Sequence, residues 1–251
     1  MLPAMSFSEK VVLITGGANG FGQATGARLA GEGAHVVLAD IEEEAGRETA
    51  DAIGAEFVHC DVRDPEASLA AVDFAVREFG GLDVAFLNAG ISTGCGLVET
   101  FDLELYRRAM QVNLDGVVFG INAAVPAMRR RGGGSIVATA SLAGLTAVPF
   151  DPIYAANKHG VVGLVRSAGP VYALESIRVN AICPGFADTR IIDGFKAGLE
   201  SEGIPIIEVD HVVDGIVDLM ASPDSGVCHF VQAGHEPQEF RFRNIPGPRD
   251  N

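Results

Sequence analysis

No apolar run in this 251-residue chain reaches the roughly 18–20 residues that a membrane-crossing helix needs. The opening segment, MLPAMSFSEK, has no apolar core of the kind an export signal carries, so the cytoplasm is the expected compartment. Cysteine is scarce. Cys60, Cys95, Cys183 and Cys228 stand far apart with no C-x-x-C pair, which reads as small core residues rather than a disulfide framework or a metal cluster. The 6 histidines show no metal-ligand spacing, so no metal is expected, and His159 reads as structural. Basic residues are outnumbered, 18 Lys and Arg against 33 Asp and Glu, for a formal net charge of −15. Nucleic acid and anionic membranes need a positive surface to release counterions, so neither is expected as a partner. Docking to an acidic carrier protein is disfavoured for the same reason.

What is present is enough for a sizeable core: 48% of residues are apolar and 20% charged. Short apolar runs at 11–15, 35–39, 56–60, 82–88, 135–140, 177–183 and 228–233 alternate with helical stretches near 20–31, 42–53, 65–79, 104–130, 154–174 and 208–221. Most of the short runs are continuously apolar, as strands covered on both faces are. Repeated strand–helix alternation implies right-handed βαβ units. The expectation is an α/β fold, a seven-stranded parallel sheet with helices on both faces. No composition break divides the chain, so residues 1–251 read as one domain with its core at about 8–235. Residues 236–251, EPQEFRFRNIPGPRDN, read as an extended tail.

Five glycines (Gly16, Gly17, Gly20, Gly22 and Gly26) crowd the segment between the first two strand runs. Glycine inside regular structure costs roughly 0.5–1 kcal/mol relative to alanine, so the cluster needs a reason. A strand, a tight turn and a helix start would offer unpaired N–H groups and the positive end of the helix dipole to a phosphate. The spacing Gly16-x-x-x-Gly20-x-Gly22 is not G-x-G-x-x-G, and no Gly-Lys-Ser/Thr follows to make a nucleoside-triphosphate loop. Asp40 ends the second strand run 18 residues after Gly22, close to the roughly 20 expected of an acid that holds a ribose hydroxyl.

Thr15-Gly-Gly-Ala-Asn-Gly-Phe-Gly22 resembles the T-G-x-x-x-G-x-G signature of the short-chain dehydrogenase/reductase family. The resemblance continues in order through Asn88-Ala-Gly90, Asn113, Ser141, Tyr154-Ala-Ala-Asn-Lys158 and Pro184-Gly-Phe-Ala-Asp-Thr189, covering roughly residues 8–235. IRVNAICPGF and the short C-terminus are similar to 15-hydroxyprostaglandin dehydrogenases. The family resemblance implies a Rossmann fold and hydride transfer between a nicotinamide and a carbinol carbon. It implies that Tyr154 exchanges the hydroxyl proton, Ser141 holds the substrate oxygen, Lys158 supports Tyr154 and the nicotinamide ribose, and Asn113 bends a helix and supports a water.

Tyrosine is a poor base with a reference pKa of about 10, and Lys158 lies one helical turn away on the same face. Together with an oxidised nicotinamide, its charge is expected to draw Tyr154 toward the working pH. Further coenzyme contacts implied are Gly16, Asn19, Gly20, Phe21 and Gly22, Asp40 and Ile41, Asp61 and Val62, Asn88, Ala89 and Gly90, and Pro184, Gly185, Ala187 and Thr189. Asp40 and the lack of an arginine at Ile41 imply NAD rather than NADP. Substrate contacts are expected from Ser141, Tyr154, Phe186 and Asp151, with 142–150, Ser92–Gly96 and 190–207 lining the pocket. Asp151-Pro152 also suits the cap and first turn of a helix.

The expected reaction is oxidation of a hydrophobic secondary alcohol, or reduction of the ketone, by a homodimer or homotetramer. Two other readings stay open: 3-oxoacyl-carrier-protein reduction, and a non-catalytic dinucleotide-binding protein. Epimerases with an added substrate domain are disfavoured, because only about 60 residues follow Thr189. Two departures from the family stand out. Gly169-Pro170 should kink or break the helix after Lys158. The end reads VQAGHEPQEF where the family commonly has VDGG, which leaves the C-terminal contacts open.

Overall fold

The computed structural model describes residues 6–243. The first five residues of the opening segment and 244–251 of the expected tail lie outside the described residues. β1 (Val11–Thr15), β2 (His35–Asp40), β3 (Glu56–His59), β4 (Val84–Leu87), β5 (Gly134–Thr139), β6 (Ile177–Pro184) and β7 (Cys228–Val231) pair in parallel. The order across the sheet is β3-β2-β1-β4-β5-β6-β7-β8. The chain winds outward from β1 in one direction and then from β4 in the other. A crevice therefore opens between β1 and β4 at their carboxyl ends, where doubly wound sheets bind ligands.

Every residue of β1 is buried, because its two faces feed two cores. Val11 and Leu13 join α3 (Pro65–Phe79), α5 (Gly116–Arg131) and α6 (Pro152–Ala173) on one face. Val12 and Ile14 join α1 (Gly20–Gly31), α2 (Glu43–Ile53) and α8 (Val209–Ala221) on the other. Cys60, Cys183 and Cys228 are buried in the first of these cores; all four thiols are free. Among the described residues no helix is long and apolar enough to cross a membrane, and no group of three or more potential ligands gathers to hold a metal.

The structure corrects the sequence reading at four places. The sheet has eight strands, not seven, because β8 (Gln238–Glu239) pairs antiparallel with β7 through His229↔Glu239 and Phe230↔Gln238. Two polar residues carry no apolar pattern to announce a strand. The strand is held instead by the Phe240 N–H donated to Cys228 O at 2.8 Å and by Phe242 beneath the Arg166 guanidinium at 3.6 Å. The first part of the expected tail is thus docked on the sheet edge and α6.

The expected 104–130 helix is interrupted: α4 (Leu103–Met110) and α5 flank a π-helical turn at Gln111–Asp115. The wider turn lets the buried Asn113 amide grip the Ile91 backbone, accepting from its N–H at 2.8 Å and donating to its carbonyl at 2.9 Å. In the other direction, of the kink or break expected at Gly169-Pro170, the break does not occur: α6 runs on to Ala173. Pro170 lies in the last turn, so only the Arg166 carbonyl loses its amide donor. Gly169 admits the neighbouring chain, since a Cβ there would stand 2.3 Å from the Gly226 nitrogen. Finally, a short helix, α7 (Lys196–Ser201), lies within 190–207, where the sequence reading expects pocket lining and names no helix.

Candidate active site

The glycine segment forms the turn from β1 into α1. Gly16 (φ +65) and Gly20 (φ +53) adopt left-handed backbone, and a Cβ at Gly22 would lie 2.0 Å from the Gly16 carbonyl oxygen. The first turn of α1 has no side-chain cap and no acidic residue. By contrast, α3, α4 and α6 are capped by Asp64, Asp102 and Asp151. Unpaired amides at a glycine-lined helix start fit the diphosphate of a dinucleotide.

The loops around this turn are knitted together. Asn88 donates its amide to the carbonyls of Thr15 and Gly16, both at 3.2 Å, and accepts from Thr139 Oγ1 at 3.1 Å. Asn88 therefore holds the ends of β1, β4 and β5 together. Asp40 accepts from the Ala18 and Glu42 amides, each at 2.9 Å, which ties the β2 end to the glycine turn. Gly90 lies against Asn113 and Lys158: a Cβ there would be 3.4 Å from Asn113 Oδ1 and 3.6 Å from Lys158 Nζ. On the far side Thr189 meets Gly20, whose Cβ would be 3.4 Å from Thr189 Cγ2.

Ser141 follows β5, and its Oγ donates to Pro184 O at 3.3 Å while accepting the Ala143 amide at 3.1 Å. Tyr154 and Lys158 rise from the first turns of α6, whose cap Asp151 accepts the Tyr154 amide at 2.9 Å. Lys158 Nζ lies 5.6 Å from the Tyr154 ring centre and donates to Thr139 O at 2.8 Å. Burial pushes the Tyr154 phenol up to about 12; a hydrogen bond with Ser141 opposes the rise and the Asp151 charge adds to it. Burial also pulls the Lys158 ammonium down to about 8. Burial thus disfavours both charges in the protein without coenzyme, whereas the lowering expected for Tyr154 involves Lys158 together with an oxidised nicotinamide.

Other expected contacts are placed less directly. Val62 is buried against α5, with its Cγ2 3.0 Å from where a Gly116 Cβ would sit, so its side chain is core. The Asp61 carboxylate is held by Arg63, with Oδ2 2.6 Å from Nη2, and this hydrogen bond keeps its pKa below the usual range. Ile41 is exposed, and Phe21 packs against the α1–α8 core. Gly185 donates its amide to Val231 O at 2.9 Å, and Ala187 is buried in a bridge with Ile207. His159 Nδ1 lies 2.9 Å from the Ala155 carbonyl in its own helix.

Sequence reasoning missed three contributors. Thr139 supplies the acceptor for Lys158 through its backbone, which no side-chain pattern marks. Glu42 and Arg190, 148 residues apart, close an ion pair at 3.0 Å, and Asn19 donates to the same carboxylate at 3.1 Å. This clasp joins the glycine turn, the β2–α2 loop and the segment after β6.

A doubly wound sheet with a glycine-lined phosphate turn beside a serine, tyrosine and lysine defines a nicotinamide-dependent oxidoreductase. The chain belongs to the short-chain dehydrogenase family, whose model (short chain dehydrogenase) matches residues 10–199. It is 41% identical over 195 residues to a cyclohexanol dehydrogenase of Acinetobacter sp. (strain SE19), covering 76% of this chain and 78% of that one. It is 43% identical over 202 residues to a trans-4-hydroxycyclohexanecarboxylate dehydrogenase of Sinomonas cyclohexanicum, covering 76% and 77%. Among solved structures, levodione reductase superposes with a TM-score of 0.83 at 32% identity, covering 91% of this chain and 98% of that one.

Proposed function

We propose that the protein is an NAD-dependent dehydrogenase of neutral, hydrophobic cyclic secondary alcohols, acting reversibly on the corresponding ketones. The observation that carries this reading is the gathering of Ser141, Tyr154 and Lys158 beside an uncapped, glycine-lined helix start. The relatives that act on cyclohexane alcohols support the ring; the hydroxyprostaglandin dehydrogenase resemblance does not enter the choice of substrate.

When bound, the nicotinamide supplies the hydride-accepting carbon and, oxidised, a positive charge. Gly16, Asn19, Gly20, Phe21 and Gly22 would hold the diphosphate side, and Asp40 the adenosine ribose, with Ile41, Asp61, Val62, Asn88, Ala89 and Gly90 around it. Pro184, Gly185, Ala187 and Thr189 would close over the nicotinamide side. Ser141 Oγ orients the substrate oxygen, and Tyr154 exchanges the hydroxyl proton through its phenolic oxygen. Lys158, its Nζ pinned by Thr139 O and 5.6 Å from the Tyr154 ring centre, keeps a positive charge beside Tyr154 and would hold the nicotinamide ribose. Asn113 positions the 88–91 loop beside Lys158 through its two bonds to Ile91. The net charge of −15 speaks against an acidic carrier protein as substrate vehicle.

Coenzyme choice is the direct test. A 2′-phosphate would meet the Asp40 carboxylate, and Arg190 is engaged by Glu42. Repulsion at about 4 Å and an effective dielectric of about 20 is on the order of 4 kcal/mol before screening. The expected result is a kcat/KM for NAD⁺ at least about 100-fold above that for NADP⁺; equal values overturn the role of Asp40. Asp151 adds a charge at the mouth beyond its capping role. Asp151→Asn keeps the cap, and its expected effect is a higher kcat/KM for 4-hydroxycyclohexanecarboxylate relative to the methyl ester, with the alkaline rise in alcohol oxidation moved to lower pH. An unchanged ratio leaves Asp151 as a cap alone.

The protein acts, in this reading, in the cytoplasm as a homodimer or homotetramer. The apolar circumference of α5 is mostly used inside the chain, where nine of its residues are buried. The exposed Val171 and Leu174 at the end of α6 are the better support for a partner face. Sedimentation equilibrium at micromolar concentration should find a dimer or tetramer, and a monomer overturns the assembly.

A further inference from the structure

Exposed apolar surface is unevenly distributed over the described residues. Of 12 large hydrophobic side chains that stand exposed, seven lie at 97–103, 150 and 191–195, on the segments leaving the carboxyl ends of β4, β5 and β6. Isolated exposed apolar residues need no explanation, but a cluster around one opening does.

Three rings from two of these segments touch. The Phe150 and Phe186 centres are 6.5 Å apart with planes 28° from parallel. Phe195 meets Phe186 edge-on at 6.0 Å and 75°. Both separations lie in the range where aromatic pairs attract. The rings are tied to the reacting groups through the chain. Phe150 directly precedes Asp151, which caps the Tyr154 amide. Phe186 is two residues beyond Pro184, whose carbonyl accepts from Ser141 Oγ. Phe150 nevertheless stands 73% exposed and Phe195 42%. A preassembled aromatic wall on the segments that anchor Ser141 and Tyr154, with Phe150 and Phe195 partly open to solvent, suits a flat apolar group continuing outward from the carbinol ring. Asp151, next to Phe150 in the chain and turned to the Tyr154 amide, adds a negative charge to this edge of the site, which favours a neutral group.

We propose that Phe150, Phe186 and Phe195 form a ring-stacking subsite, so that the preferred substrates are neutral cyclic alcohols or ketones bearing a second, planar apolar ring. This rests on the dehydrogenase reading above and extends it from the reacting carbon to the remote part of the substrate. Binding energy from a remote ring in an apolar pocket is expressed as specificity between otherwise equal substrates.

The experiment compares kcat/KM for trans-4-phenylcyclohexanol and cyclohexanol with NAD⁺, in the native protein and in Phe150→Ala and Phe195→Ala. The native ratio is expected to be about 10-fold or more, carried mainly by KM. Each variant should lower that ratio by about 3-fold or more while melting within a few degrees of the native protein. A native ratio near one, or a ratio unchanged in both variants, overturns the subsite while leaving the dehydrogenase reading intact. Loss of the oligomer in either variant with the ratio preserved also overturns it, by assigning the rings to a second copy of the chain. If neither alcohol is oxidised with NAD⁺ or NADP⁺, the dehydrogenase reading itself fails.

Discussion

At the amino edge of the sheet, Asp83 sits just before β4, its side chain only 9% exposed, between Lys10 Nζ at 3.2 Å and Arg131 Nη2 at 3.3 Å. At the carboxyl edge, Lys158 is buried with a backbone carbonyl as its partner and no carboxylate. Burial acts against the charge in both places. For Asp83 it is outweighed by the Val11 amide, Arg131 and Lys10, and the carboxyl is held below its usual range. For Lys158 nothing outweighs it, and the ammonium falls to about 8. A buried charge that is fully paired serves the fold. One left short of partners costs stability and is kept where chemistry needs it.

The largest expected effect breaks the carboxyl edge without touching its packing. Tyr154→Phe removes one oxygen, and steady-state turnover should fall at least about 100-fold while fluorescence titration still detects coenzyme binding. Near-normal turnover would remove Tyr154 from the mechanism. Asp83→Ala should break the amino edge in the opposite sense. The buried Val11 amide loses its acceptor and the two cations their partner, for a loss of about 2–3 kcal/mol in urea unfolding with turnover per folded molecule retained.

Lys158→Met sharpens the contrast. It should abolish activity, yet at pH 7 raise stability by about 1–3 kcal/mol, because a displacement from 10.5 to about 8 measures the cost of holding that charge in the fold. The pH dependence of unfolding checks the same point. Folded Lys158 releases its proton near pH 8, while an unfolded lysine keeps it to about 10.5, so the unfolded state binds more protons in between. Stability contributed by this site therefore rises from pH 8 to 10.5, a slope that the Met variant should lack. Tyr154 acts oppositely above pH 10, since its folded pKa of about 12 is lost to unfolding as pH climbs. Asp83, with its lowered pKa, stabilises above the ordinary carboxylate range, and this contribution fades as pH falls.

The smallest effect concerns the Glu42–Arg190 clasp, where both side chains are at least half exposed. Exposed ion pairs contribute about 0–1 kcal/mol, so Arg190→Ala should raise the KM for coenzyme by about 2–5-fold with little change in melting temperature. An unaltered KM would leave the clasp as a surface pair.

The parallel pairing of the sheet was legible because continuously apolar, β-branched runs such as VVLIT alternate with longer helical stretches, the pattern of strands covered on both faces. The glycine turn was legible because few residues but glycine tolerate the approach of Gly22 to the Gly16 carbonyl. The eighth strand was not. Gln238 and Glu239 have no intrinsic strand pattern, and their pairing depends on a free edge at β7 and an aromatic anchor on α6. The π-helical turn was legible in part: the family resemblance implied a bend at Asn113, but the strand-end loop that Asn113 grips lies 22 residues away.

By itself, the order of residues determined the parallel βαβ units, the Asp151 cap of α6, and which side chains carry hydroxyl, phenol and ammonium. Those properties are set by neighbours within a turn of helix or by strand alternation. Only the tertiary structure decided that Lys158 leans on Thr139, that Glu42 reaches Arg190, and that Tyr154 is raised rather than lowered in the protein's own field. Desolvation and charge pairing depend on what surrounds a group in three dimensions, and those surroundings come from segments far apart in the chain.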